Sequence, residues 1–311
     1  MSREAKNEAS DISYAAVMKR AATKRRRSPC LRGELFRRRL VLLVPIGHNR
    51  HVMTEHVLTE TANGVLTLTL NRPEKKNALT RAMYQALADG INGAEHDRHV
   101  RCVLLQAEGD TFTAGNDMAD FAAASRGEPA AQEARTHGNP FLEALVHAKT
   151  PIVAAVNGRA VGVGTTMLLH CDLVFVADDV RLTTPFVNLA LVPEAASSLT
   201  LPARIGHARA FAMFVLNEAV DAATAVAWGI ANASVPRTEL RARARAAAEA
   251  IAAKPASAVV LTKALMRDPA ALAARMQVER THFSSQLKSA EAKEAFTAFA
   301  EKRPPDFSKF T

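Results

Sequence analysis

Residues 151–167 read PIVAAVNGRAVGVGTTM. Ile152 to Val156 is an apolar run long enough for a buried strand and too short for a helix of its own. Asn157-Gly158 stops it, small residues follow from Ala160 to Gly164, and from Thr165 to Leu169 the pattern suits a helix. A strand thus runs through a glycine turn into a helix start. Such a start leaves backbone N–H groups unpaired at the positive end of the helix dipole, where a developing oxyanion is well held. The same residues also suit a turn that merely packs helix on strand, and the stretch alone leaves both readings open.

Upstream, Val57 to Leu70 forms two extended stretches around Asn63-Gly64, a hairpin with a two-residue turn. The polar loop NRPEKKNALT follows, with Thr80 as N-cap of a helix that places Met83, Leu87 and Ile91 on one face. Lys75 and Lys76 project from this loop, as solvated lysines or as phosphate contacts. Val100 to Ala107 reads as a buried strand and leads into EGDTFTAGNDMADF, where Gly109, Thr113, Ala114 and Gly115 allow a second turn with an exposed N–H. Asp117 there is a catalytic acid or, more simply, the cap of a short helix from Met118 to Ala124. Residues 126–149, with a helical patch from Pro140 to Val146, are expected to cover the site.

Downstream, Asp172 to Ala177 is another buried strand. Glu194 follows Pro193 among Leu189, Ala190, Leu191, Val192, Ala195 and Ala196. A carboxyl in apolar surroundings suits a general acid or base; equally, it would complement the N-terminus of a helix from Ala195 to Ile205. Further helices run to Phe299 without strands after Pro255, a helical C-terminal domain whose exposed apolar positions, such as Phe283, Leu287, Phe296 and Phe299, would suit packing on another subunit.

The chain has 311 residues, 48% hydrophobic, and a net charge of +9. Residues 1–52 hold 13 Lys and Arg against four acidic residues, which is the whole excess; the rest has 27 of each sign. A neutral body argues against nucleic-acid binding by the core. The basic segment lacks the periodicity of a domain and its apolar run Leu40 to Ile46 is too short to span a bilayer. It reads as a disordered, dispensable extension ahead of Met53, with a basic tail or a transit-type leader as alternatives. Cys30, Cys102 and Cys171 show no paired spacing, so reduced thiols in a cytoplasmic protein are expected. The ten histidines lack metal-ligand spacing, and no metal site is expected.

Taken together, GVLTLTLNRPEKKNAL, DTFTAGNDMADF, AAVNGRAVGVGTTM and AKEAFTAFAEKRPPDF resemble the crotonase, or enoyl-CoA hydratase and isomerase, family over about Thr54 to Phe307. The resemblance implies an α/β fold: a repeated ββα spiral core over 53–253 that binds acyl-CoA, and a helical oligomerisation domain over 254–311 that forms homotrimers or hexamers. It implies acyl-CoA thioesters as substrates, with coenzyme A part of the substrate and no separate cofactor. It makes the backbone N–H groups of Asn116 and Val163 the oxyanion hole. Lys76, Ala78, Leu79, Ala114, Asp117, Met118 and Gly162 become the substrate lining, and Lys75, Lys302 or Arg303 further candidates for the CoA phosphates. At the two positions where family hydratases carry glutamates this chain has Thr166 and Phe186, and neither ionises. Glu194 instead lies in a P-E-x-x-S-S stretch similar to the catalytic segment of peroxisomal-type delta-3, delta-2-enoyl-CoA isomerases. The expected activity is isomerisation of 3-enoyl-CoA with Glu194 as base; a hydratase, or a non-catalytic acyl-CoA or RNA-binding relative, is the alternative.

Overall fold

Short apolar runs separated by turns build two sheets. The structure, a computed structural model, describes residues 49–118 and 138–310. The segments 1–48 and 119–137, with Cys30, the expected helix from Met118 to Ala124 and most of the expected cover, lie outside the described residues.

In chain order, β1 (Asn49–Thr54), β2 (Val57–Ala62) and β3 (Val65–Leu70) form an antiparallel meander. The expected hairpin is there, with Asn63 and Gly64 both at positive φ, as a two-residue hairpin turn requires. The expected extension, 1–52, reaches into β1, whose Asn49 to Val52 pair with β2. From β3 the sheet continues in parallel through β4 (Cys102–Ala107), β5 (Ile152–Val156), β7 (Leu173–Ala177) and β10 (Ala233–Val235). Parallel strands need both faces covered, which is why β5 is buried at every residue. The helix α1 (Arg81–His96) covers one face. It is capped by Thr80, whose hydroxyl accepts from Met83 N at 3.3 Å, and it buries Met83, Leu87 and Ile91. The helix α7 (Arg237–Ala252) covers the other face with Leu240, Ala244 and Ala248 against Leu104, Val153 and Phe175.

A second, three-stranded sheet joins β6 (Arg159–Val161), β8 (Arg181–Thr183) and β9 (Val220–Asp221). The isolated bridge Thr113↔Ala160 extends this stack, and Leu79↔Asn116 repeats the arrangement one step earlier. The large-sheet strands β3, β4, β5 and β7 are each followed by a short segment in a second stack, and after β3 and β5 a helix follows: the repeated ββα spiral. Between these turns lie α2 (Pro140–His147), α3 (Val163–Thr166), α4 (Ser197–Ile205), α5 (His207–Val215) and α6 (Ala222–Ala227).

The chain ends in α8 (Ala256–Met266), α9 (Pro269–Gln286) and α10 (Ala290–Ala300). Of the apolar residues expected on their surface, Phe283, Leu287 and Phe296 instead join the main core, and Phe299 alone is exposed. The exposed apolar side chains of α8 are Leu261, Leu265 and Met266. Cys102 and Cys171 are buried free thiols, pushed up to about 12 by burial. Among the described residues no helix is long and apolar enough to cross a membrane.

Candidate active site

The polar loop 71–80 and the Gly115 loop are joined along one seam. Ala114 N donates to Lys76 O at 2.9 Å, Leu79 N to Gly115 O at 2.8 Å and Asp117 N to Leu79 O at 3.0 Å. Thr113 Oγ1 donates to Asn77 O at 2.6 Å. Buried Asn77, in a left-handed conformation, ties the loop further by donating to Glu108 O and Thr111 O. Lys76, Ala78, Leu79, Ala114, Asp117 and Met118 are thereby brought into one neighbourhood, with Met118 packed on the core. Because Gly115 and Asp117 make the bonds to Leu79, Asn116 between them turns its own N–H to the other side.

The second turn centres on Gly162, at φ 57 and ψ −116, a conformation closed to side-chain-bearing residues. Its N–H donates to Thr183 O, and its carbonyl accepts from Thr165 and Thr166. Val163 opens α3, so its N–H has no acceptor within the helix. Among the described residues no backbone carbonyl accepts from the N–H of Asn116 or of Val163. Thr113 N→Arg159 O and Val161 N→Thr113 O, both 3.1 Å, hold the two turns together. A Cβ on Gly115 would stand 2.8 Å from Val161 O, and one on Gly164 2.5 Å from Thr113 Cγ2. The glycines are what allow this approach. The expected helix after the turn is only α3, one turn long, before a 3-10 segment at Met167–His170. The turns thus present local N–H donors rather than the dipole of a long helix.

Glu194 is half-buried and accepts a hydrogen bond from Asn116 Nδ2 at 3.3 Å. The hydroxyl of Tyr84, on the buried face of α1, donates to Asn116 Oδ1 and so orients the amide with its donors towards the carboxylate. Thr166 and Phe186 are both buried, and Phe186 packs its ring 6.2 Å from that of Phe214. The other reading of Glu194, as partner of a helix N-terminus, is corrected by the geometry. The helix α4 starts at Ser197, after Ala195 and Ala196 in left-handed conformations, and the carboxylate of Glu279 from α9 takes the N–H groups of Ala196 at 2.6 Å and Ser198 at 2.8 Å. With both oxygens engaged by backbone, Glu279 is no second catalytic carboxylate.

Asp117 pairs with Arg72 at 2.6 Å, and Arg72 also donates to Ala78 O, so this carboxylate braces the seam. Lys76 is exposed and 2.9 Å from Asp110, within reach of solvent-borne phosphates. Arg303 is held by Glu294 and Glu301 of its own chain, both at 2.6 Å, and Lys302 is exposed beside it. Tyr84, Arg72 and Glu279 were not singled out by the sequence reading. The one signal for Glu279 is its place in the stripe Leu272, Met276, Glu279, Phe283, where helical spacing calls for a hydrophobe.

The spiral of ββα turns is the fold of a class of enzymes that sequence comparison identifies. The family model described as Enoyl-CoA hydratase/isomerase matches residues 60–309, and the chain belongs to that family. It is 32% identical over 261 residues to the 1,2-epoxyphenylacetyl-CoA isomerase of Escherichia coli K12, covering 82% of this chain and 99% of that protein. It is 32% identical over 251 residues to enoyl-CoA delta isomerase 2 of Rattus norvegicus, covering 80% of this chain and 64% of that longer one. The crystal structure of an enoyl-CoA hydratase/isomerase from Pseudoalteromonas atlantica T6c superposes with a TM-score of 0.75 at 44% identity, covering 81% of this chain and 100% of that one.

Proposed function

We propose that the protein isomerises 3-enoyl-CoA to 2-trans-enoyl-CoA. Glu194 removes a proton from C2, the electron pair delocalises into a dienolate, and the proton returns from Glu194 to C4 as the double bond moves to C2–C3. The N–H groups of Asn116 and Val163 bind the thioester oxygen while it carries the negative charge. Lys76, Ala78, Leu79, Ala114, Asp117, Met118 and Gly162 line the path of the substrate, with Lys76 meeting CoA phosphate. As written, the reaction consumes no water and no redox equivalent.

The observation that carries this reading is the 3.3 Å contact of Glu194 with Asn116, which sets a base beside the residue that supplies an oxyanion donor. Hydration needs a carboxylate pair to orient and deprotonate water, and Thr166, Phe186 and the engaged Glu279 supply none. The likeness to a protein named enoyl-CoA delta isomerase 2 is in keeping with this choice. Exposed Leu261, Leu265 and Met266 on α8, with Phe299, are the faces this reading buries between subunits of a homotrimer or hexamer.

Glu194→Ala tests it. Loss of positioned base catalysis costs about 10²- to 10⁴-fold, so turnover of 3-enoyl-CoA should fall by that much while acyl-CoA binding, measured by calorimetry, stays within about twofold. Near-normal turnover would remove Glu194 from the chemistry.

A further inference from the structure

Resting on the reading of Glu194 as base, we propose that Glu279 and the His170–Arg267 pair are positioning residues for Glu194, so that the C-terminal helices set the geometry of the catalytic turn.

The turn needs outside support. Ala195 and Ala196 follow Glu194 at φ 64 and 54, two successive alanines in a region that L residues with a Cβ avoid. No side chain caps α4 locally: its N-cap is Ala196. The missing cap comes from Glu279, 83 residues beyond Ala196, whose two oxygens accept from Ala196 N and Ser198 N. On the other side of the turn, His170 Nε2 meets Ala195 O at 2.7 Å. Its Nδ1 lies 2.7 Å from a guanidinium nitrogen of Arg267, which can only donate. Nδ1 is therefore the acceptor and Nε2 carries the hydrogen given to Ala195 O. Arg267 is fixed in turn by donating to His170 O at 3.2 Å and Leu145 O at 2.9 Å. Burial keeps the imidazole neutral, pushing it down to about 4, which preserves these roles at neutral pH.

The carbonyl of Ala195 and the N–H of Ala196 are thus both pinned, immediately after the catalytic residue. Two of the three pinning groups, Arg267 just before α9 and Glu279 within it, belong to the C-terminal helical segment. A misplacement of about 1 Å in a reacting group costs up to about 10²-fold in rate, and none of these groups is among the residues placed along the substrate's path.

The test uses full-length Glu279→Ala and Glu279→Gln, with the wild-type protein in parallel. Two quantities are read: kcat and KM on 3-enoyl-CoA, and hydrogen exchange of the backbone over 194–201. The proposal expects Glu279→Ala to lose about tenfold or more in kcat with KM within about twofold, and its 194–201 amides to exchange at least about tenfold faster. Glu279→Gln, whose amide nitrogen cannot accept, should fall between, and it carries the test if the alanine variant does not fold. Faster exchange with unchanged kcat would mean a purely structural clamp and would overturn the proposal, as would unchanged exchange. Wild-type protein that does not isomerise 3-enoyl-CoA would sink the reading of Glu194, a result separate from the exchange measurement.

Discussion

Asn116 presents two different groups to its surroundings. Its backbone N–H points away from the Leu79 seam, and its side-chain amide, turned by Tyr84, reaches Glu194. The family resemblance implies the first, and a backbone donor depends only on the shape of the glycine turn beside it. The sequence gave no sign of the second, because Tyr84 reads as one more core residue on α1 and its partner lies 32 residues away. The two tasks separate by mutation. Asn116→Ala keeps the backbone donor and removes the contact to Glu194, so kcat should fall about tenfold, roughly the worth of one hydrogen bond to a charged group, with KM nearly unchanged. Asn116→Asp should do worse, since it places a like charge where the amide donor stood. Steady-state kinetics on 3-enoyl-CoA decide this, and two variants that match wild type would remove the amide from the site.

Among the elements, those set by local pattern were legible: the hairpin around Asn63-Gly64, α1 behind its Thr80 cap, and the apolar strands β4, β5 and β7. The pattern after the second glycine turn suits a helix through Leu169 while α3 ends at Thr166, because nothing local marks the change to 3-10 geometry at Met167. Phe283, Leu287 and Phe296 join the core where the sequence suggests an exposed face, because spacing within a helix does not tell which neighbour its apolar face meets. Buried His170 gives the link between Met167–His170 and the Glu194 turn a measurable signature. Burial first, and then Arg267, lowers it to about 4. An unfolded histidine takes up its proton near pH 6.5, so between about 6.5 and 4 the unfolded chain binds more protons. The stability this group contributes is fully present above 6.5 and is lost as pH falls towards 4, by up to about 3 kcal/mol. Glu279, raised by burial, acts with the opposite sign above the ordinary glutamate value, so the histidine contribution is read as the difference between wild type and a His170 variant. Urea unfolding between pH 5 and 7 should show stability falling with acid in the wild type and a flatter curve in His170→Gln. Equal slopes would contradict the buried neutral imidazole.

At the scale of the whole molecule, the order of the four quoted motifs carries the family resemblance: a strand with its polar loop, two glycine turns and a C-terminal helical ending. How these segments meet was not legible. It depends on the Thr113↔Ala160 and Leu79↔Asn116 bridges, and on α9 reaching back to the Glu194 turn, all of them contacts between distant parts of the chain. Our proposal rests on one carboxylate, Glu194, held against the Asn116 amide, where water addition would need two. That claim is tested most directly by giving the purified full-length protein 3-trans-enoyl-CoA and, separately, 2-trans-enoyl-CoA, and following the absorbance of the conjugated thioester. Our reading predicts a rise in absorbance from the 3-enoyl substrate and a steady trace from the 2-enoyl substrate; rapid loss of absorbance from the 2-enoyl substrate, with no rise from the other, would contradict it.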